Sequence, residues 1–153
     1  MARADLLSAT EEAFWRALMR ITLSLPRRLD SDLVHAVGIT ANEYLTLMSL
    51  SEAPGRELRM TDLANATALS ASRMTRLVDE LQARGLVTKR ASAADGRGNV
   101  ATLTPAGLAK LRAAWRVHVA RVRALVFDHV DSASVSDAAQ TLSDIAARLE
   151  GRL

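Results

Sequence analysis

Apolar side chains recur every three or four residues over several stretches of this 153-residue chain, which is the spacing of one face of an α-helix. The first stretch contains Phe14, Leu18, Ile21 and Leu25. Ser8 and Glu11 have capping-box spacing and predict where this helix begins. Pro26 is expected to kink or interrupt it, because proline supplies no N–H and crowds the preceding turn. Gly38 predicts the end of the segment, since glycine readily adopts the left-handed conformation that follows a helix.

A second helix is predicted to begin after Thr40, which has capping-box spacing with Glu43. Apolar residues lie on more than one side of this helix: Tyr44, Leu45, Leu47, Met48 and Leu50. That distribution indicates a central, buried helix. After a loop over residues 53–56, the segment 57–59 is a candidate for a short strand that pairs with the hairpin further along the chain.

Residues 58–104 carry the most informative order of elements. The pattern predicts a short helix at 60–68, a turn ending at 69–70, a longer helix at 70–85, and a two-stranded hairpin at 86–103 with a charged tip. This order is that of a winged helix-turn-helix, a shape that places one helix in a DNA groove and a basic loop beside it. The predicted fold class is therefore mainly α with a small β wing.

The longer helix has one apolar face, formed by Met74, Leu77, Val78 and Leu81. Ser70 is the predicted N-cap. Near the N-terminus of this helix, the side chains outside the apolar face are hydroxyls and arginines: Ser72, Arg73, Thr75 and Arg76. Arginine can donate two hydrogen bonds to guanine, and serine and threonine reach bases or phosphates. The alternative is that the two arginines form surface ion pairs with Asp79 and Glu80.

The tip of the hairpin carries Arg97 between two glycines, which allow a tight turn and a close approach to a phosphate backbone. A lone arginine at such a tip suits the narrow minor groove, where the negative potential is strongest. Asp95 is positioned in sequence to pair with Arg97 or another basic residue and hold the tip in shape.

Helical patterns resume after the hairpin. Thr104 and Pro105 are typical of a helix start, and the apolar stripe predicts a helix from 105 to about 128, about 36 Å long at ~1.5 Å per residue. A last helix has the stripe Val135, Ala139, Leu142, Ile145, Ala146 and Leu149. We expect residues 1–38 and 105–153 to be dimerisation helices flanking a DNA-binding lobe at 40–104, because two-fold pairing buries such stripes. The alternative is an intramolecular bundle.

Composition agrees with a single globular domain, since 49% of residues are apolar and 24% are charged. Residues 56–97 hold eight basic and five acidic side chains, whereas the rest of the chain holds twelve of each sign. The net charge of +3 therefore lies in the helix-turn-helix and wing, which favours a polyanionic partner over a random surface imbalance. The chain has no Cys, no apolar run of bilayer length and no secretory signal pattern, so a cytoplasmic location is expected.

The segments TDLANATALSASRMTRLVDELQARGLVTKR, DGRG and VATLTPAG resemble the multiple-antibiotic-resistance regulator (MarR) family of transcription factors. The family pattern is matched at Leu63–Ala64, 76–81, 84–87, Asp95 with Arg97, and 103–107. A second arginine commonly follows the Asp-x-Arg motif, but here Gly98 stands at that place, so one positive charge per wing is missing. The resemblance implies a homodimer that binds a pseudo-palindromic DNA operator, usually as a repressor.

The resemblance also implies a small, often aromatic or anionic, effector bound between the dimerisation helices and the DNA-binding lobe. Arg28 and Tyr44 are the candidates for that pocket, because an arginine facing a buried aromatic ring can bind a carboxylate or phenolate. The alternative is a solvated Arg28 and a core Tyr44. The histidines lack metal-ligand spacing, so no metal and no other cofactor is predicted.

Two other classes of function compete with DNA binding. The sequence has no phosphate loop, nucleophile elbow or paired catalytic carboxylates, so an enzyme is not predicted. A winged helix that binds another protein instead of DNA is the stronger alternative. The face around Ser72, Arg73 and Arg76 discriminates between the two, since DNA binding there depends steeply on salt.

Overall fold

A computed structural model describes residues 6–91, 99–149 and 151 of the chain. The elements are, in order, α1 (Ala9–Val37), α2 (Ala41–Glu52), β1 (Glu57–Arg59), α3 (Met60–Ala66), α4 (Ala71–Ala83), β2 (Val87–Ala91), β3 (Asn99–Leu103), α5 (Pro105–Leu125) and α6 (Val135–Leu149). The mainly helical fold with a small sheet confirms the predicted fold class. The chain divides into two compact units, Met1–His118 and Val119–Leu153.

The core of the first unit collects side chains from most of its elements. Those less than 2% exposed include Leu33, Ile39, Leu47, Leu50, Leu63, Met74, Val78, Leu81 and Val87. The predicted central helix α2 contributes Leu47 and Leu50 to this core, and its Tyr44 is only 3% exposed. Its N-terminus is fixed by the predicted capping box, in which Glu43 N donates to Thr40 Oγ1 at 3.2 Å.

The three strands form an antiparallel sheet in the order β1–β3–β2. The short strand expected at Glu57–Arg59 is confirmed, and it pairs with β3 so that Leu58 lies opposite Ala101. The hairpin β2–β3 is the wing, and Lys89 lies opposite Ala101 on its other side. Ala101 is fully buried, so the middle strand anchors the wing to the helical core.

α1 begins where the sequence predicts, because Ser8 Oγ accepts from Glu11 N at 3.3 Å and Glu11 Oε2 accepts from Ser8 N at 2.8 Å. The expected interruption at Pro26 is wrong, since α1 runs unbroken through it to Val37. Pro26 lies on an exposed part of the helix, where water can reach the carbonyl that lacks its usual donor. The Arg27 side chain also donates from Nε to Leu23 O at 2.8 Å in this turn.

The second unit continues α5 and adds two 3-10 turns and α6. α5 ends at Leu125, three residues before the predicted end, and a 3-10 turn at Phe127–His129 follows. α6 begins at Val135 and carries its apolar stripe as predicted, yet none of its described residues is buried. Within the described chain, no helix is long and apolar enough to cross a membrane.

Candidate DNA-binding surface

The turn between α3 and α4 sets the direction of the second helix. Leu69 N donates to Ala64 O at 3.0 Å, and Ala68 adopts a left-handed conformation with φ of 53°. Ser70 then caps α4, with its Oγ accepting from Arg73 N at 3.4 Å. The chain therefore reverses over a few residues and starts a new helix with a defined N-terminus.

α4 is divided sharply between a buried and an exposed face. Met74, Val78 and Leu81 are fully buried, as the apolar spacing predicts. The contact residues predicted on this helix and its N-cap are all exposed and lie within the N-cap and the first two turns: Ser70, Ser72, Arg73, Thr75 and Arg76. The structure thus brings these five side chains together on one solvent-facing surface, which we call the α4 surface.

The two arginines of the α4 surface are exposed to solvent. Neither Arg73 nor Arg76 forms an ion pair within residues 6–91, 99–149 and 151. Asp79, a possible partner in the sequence, pairs instead with Lys89 of β2. The alternative of an internally neutralised recognition helix therefore finds no support in the described residues.

Other basic side chains of the lobe are engaged within it. Arg90 of β2 pairs with Glu57 of β1 at 2.9 Å, and Arg84 pairs with Glu43 at 2.6 Å. Together with Lys89, these residues supply part of the basic excess counted from the sequence but are already matched by carboxylates. Among the described residues of the helix-turn-helix itself, Arg73 and Arg76 therefore keep their charge unmatched by a carboxylate, which counting charges in the sequence did not reveal.

The two predicted residues of the wing tip, Asp95 and Arg97, lie outside the described residues and stay predictions. The strands that lead to them are described as far as Ala91 and Asn99, which lie opposite each other at the end of the hairpin.

The two residues predicted for an effector pocket have different surroundings. The Arg28 side chain is 63% exposed, with Nε 3.6 Å from Asp32 Oδ2. Tyr44 is in the core and stacks on His118, with ring centroids 5.0 Å apart. Burial, and then the negative charge of Glu52, raises the pKa of Tyr44. No hydrogen bond joins Arg28 to Tyr44 in the part of the chain that the structure describes.

His118 is the partner of Tyr44 that the sequence did not identify. Burial lowers the pKa of His118, so its neutral form is favoured. Its Nδ1 is buried without a hydrogen-bond partner among the described residues. In the same described part, no three His, Asp or Glu side chains are grouped as a metal site.

A groove of about 370 Å³ lies between α2 and α5. It is lined by Met48, Ser51, Glu52, Leu108, Leu111, Arg112, Trp115 and Arg116. Trp115 is 53% exposed, and neither Arg112 nor Arg116 is ion-paired among the described residues. The sequence analysis did not identify this groove or its arginines. Arg112 stands three residues before Trp115 and Arg116 one residue after it, and that spacing was the available signal.

A three-stranded sheet that includes the wing hairpin, next to the helix pair α3–α4 with an exposed, arginine-bearing second helix, defines the winged helix-turn-helix class of protein. Within that class, the chain belongs to the MarR family of transcriptional regulators. Residues 37–98 match the family model described as MarR family. Comparison with curated protein sequences gives no significant match.

Solved structures support the same assignment. AbsC, a MarR family transcriptional regulator from Streptomyces coelicolor, is 34% identical with a TM-score of 0.85, covering 95% of this chain and 98% of its own. Sco3205, from the same organism and solved in complex with DNA, is 32% identical with a TM-score of 0.85 over 94% and 91% of the two chains. The transcriptional regulator BldR from Sulfolobus solfataricus shares the fold, at 23% identity and a TM-score of 0.78 over 93% and 99%.

Proposed function

We propose that this protein is a homodimeric repressor that binds a pseudo-palindromic operator in double-stranded DNA and is released by a small aromatic or anionic effector. The α4 surface carries the proposal. It combines hydroxyls with two guanidinium groups that form no ion pair within the described residues, on a helix whose opposite face is fully buried. This is the combination that direct reading of bases in the major groove requires.

The roles of individual residues follow from their place on the helix. Arg73 and Arg76 project from the first two turns and would contact base edges, guanine above all. Ser70, Ser72 and Thr75 would contact bases or phosphates, and Arg97 would enter the minor groove. The structure of Sco3205 in complex with DNA supports this use of the fold by a relative.

The homodimer is supported by apolar side chains left exposed on the outer helices. In the N-terminal half of α1, Phe14 and Trp15 are 54% and 52% exposed, and in α6 Leu142 and Leu149 are 51% and 83% exposed. Apolar patches of this kind mark interaction sites, and a second copy of the same chain offers matching stripes. A two-fold dimer would present two α4 helices to half-sites about 34–36 Å apart on the duplex.

The effector is best accommodated by the groove between α2 and α5. The exposed face of Trp115 can stack on an aromatic ring, and Arg112 and Arg116 can bind its carboxylate. Tyr44 remains a predicted effector contact, and it lies on α2, the helix that supplies Met48, Ser51 and Glu52 to the groove. Arg28 remains a predicted effector contact from the α1 side.

The test begins by selecting a preferred duplex from a random library with the wild-type protein, followed by salt titrations on that duplex and on a scrambled one. We expect Arg73→Ala to cost about 1–3 kcal/mol on the selected duplex and to relax base preference. Arg97→Ala should weaken binding to both duplexes and reduce the salt slope by about 1. Arg148→Ala removes the same charge from α6 and serves as the control. Equal affinities for wild type and both lobe variants would reject the proposal, as would a wild type that ignores duplex DNA at low salt.

A further inference from the structure

The C-terminal end of α4 is fixed by both its backbone and a side chain. Gly85, with φ of 70°, ends the helix, and its N–H donates to Gln82 O at 2.9 Å while Leu86 N donates to Leu81 O at 2.9 Å. This is a Schellman motif, in which the chain turns away immediately after the last helical residue. Arg84 is the C-cap residue of this motif, so its side chain starts at the very end of α4.

The Arg84 guanidinium connects this end of α4 to a distant part of the chain. Its Nη1 donates to Glu43 Oε1 at 2.6 Å, and its Nη2 donates to Gly38 O at 2.8 Å. Glu43 is in the first turn of α2 and Gly38 is the C-cap of α1. A planar guanidinium can hold two such acceptors at once, which fixes its orientation as well as its distance.

Glu43 is itself held in place before it meets Arg84. Its side chain is only 8% exposed, and its Oε2 accepts from Thr40 N at 2.7 Å and from Thr40 Oγ1 at 3.1 Å. One carboxylate oxygen therefore caps α2 while the other binds the arginine. A nearly buried carboxylate depends on its partner far more than a surface one does, so this pair differs from the exposed pairs of the wing.

The junction between the C-terminus of α1 and the start of α2, to which Arg84 binds, also contacts α5. Lys110 Nζ donates to Val37 O at 3.1 Å, so the last carbonyls of α1 receive cations from two other helices. Positive charge at a helix C-terminus is favoured by the helix dipole. On the other side of the junction, Asp30 Oδ1 accepts from Ala41 N at 2.7 Å and joins α1 to α2. The point to which Arg84 is attached is therefore a rigid one.

We propose that Arg84 and Glu43 are positioning residues for DNA recognition: their ion pair sets the angle at which the N-terminal half of α4 meets the bases. The inference rests on the proposed DNA-binding function. α4 is about 20 Å long, so a tilt of about 5° at its C-terminal end moves its N-terminus by about 1.7 Å. That displacement exceeds what a hydrogen bond to a base edge tolerates. Neither residue needs to touch DNA.

Glu43→Gln is the most discriminating test, because a simple charge effect and the positioning role predict opposite changes in affinity for the selected duplex. The amide keeps the size of the side chain and is accepted in a capping box, but its single oxygen cannot serve both Thr40 and Arg84. Removing a negative charge should by itself strengthen binding to DNA. The positioning role instead predicts that affinity for the selected duplex falls about tenfold while affinity for a scrambled duplex does not fall.

Glu57→Gln is the matched control, since it removes the same charge and breaks the exposed pair with Arg90 without involving α4. Its ratio of selected to scrambled affinity should equal that of wild type. Partial unfolding of a variant lowers both affinities by the same factor, so the ratio isolates positioning from stability. A second variant, Arg84→Lys, keeps the charge but lacks the two-pronged guanidinium, and it should lower the ratio with an unchanged salt slope.

Equal ratios for Glu43→Gln, Arg84→Lys and Glu57→Gln would overturn the positioning role while leaving the proposed function intact. A wild type that binds both duplexes equally would instead reject the proposed function, and the positioning role with it.

Discussion

Apolar side chains are buried in the DNA-binding lobe but exposed on the outer helices. In the lobe, Leu47, Leu63 and Leu81 are fully buried within one chain. In the N-terminal half of α1 and in α6, side chains of the same kind, such as Phe14 and Leu142, are more than half exposed. The lobe thus completes its own core, whereas α1 and α6 each present apolar surface that the described residues leave exposed.

An apolar stripe on a helix predicts burial but does not identify the partner that provides it. The stripe of α4 and the stripe of α6 have the same helical spacing, and both predict a buried face. Spacing reports that a face is to be buried, but not whether the covering residues come from the same chain. Substitutions in the two regions should therefore differ in how their effects depend on protein concentration.

The largest expected effect is in the lobe. Leu63→Ala leaves a cavity in a closed core and should lower the free energy of unfolding by about 2–5 kcal/mol. The loss should be the same at low and high protein concentration, because the cavity lies inside one chain. Urea unfolding followed by circular dichroism measures it, with Leu142→Ala as the matched substitution in α6. Equal losses for the two variants at every concentration would remove the distinction between the regions.

The next effect concerns the outer helices. Leu142→Lys places a charge on the stripe of α6 and should cost about 1 kcal/mol per copy in lost burial, or about 2 kcal/mol per dimer. The dimer dissociation constant should then rise about 30-fold, as measured by sedimentation equilibrium. Gln140→Lys is the control, because it adds the same charge beside Asp144, to which Gln140 donates at 2.8 Å in the wild type. This variant should leave the dimer dissociation constant unchanged. A wild-type mass equal to one 16.5 kDa chain would contradict the dimer itself.

Local signals made much of the fold predictable. Ser8, Thr40 and Ser70 each cap the helix that the sequence assigned to them, since a hydroxyl three residues before a backbone N–H acts within one turn. The amphipathic spacing of α4 correctly separated its buried face from the α4 surface. The extent of α1 was less predictable, because a proline on an exposed turn costs less than one in a buried turn, where water cannot supply the missing partner.

Interactions between distant parts of the chain were not predictable. Arg84 lies 41 residues from Glu43, and nothing in either local sequence indicates the partner of the other. The same holds for Lys89 and Asp79, whose pairing depends on how β2 packs against α4. These pairs decide which basic residues stay available for DNA. Counting charges along the sequence therefore identified the basic lobe but did not identify the α4 surface within it.

The smallest expected effect is in the turn between α3 and α4, where the backbone of one residue is strained. Ala68 has φ of 53°, a left-handed conformation that costs a residue with a Cβ about 1 kcal/mol or more. Glycine avoids that cost but is more disordered in the unfolded chain, so Ala68→Gly should raise the free energy of unfolding by about 0.5 kcal/mol. Ala66→Gly, at the last residue of α3, should instead lower it, by up to roughly 0.5–1 kcal/mol, the cost of glycine inside a helix. Urea unfolding of the two variants beside wild type checks the opposite signs. A loss at Ala68 as large as that at Ala66 would show that the turn gains more from its methyl group than the left-handed backbone costs.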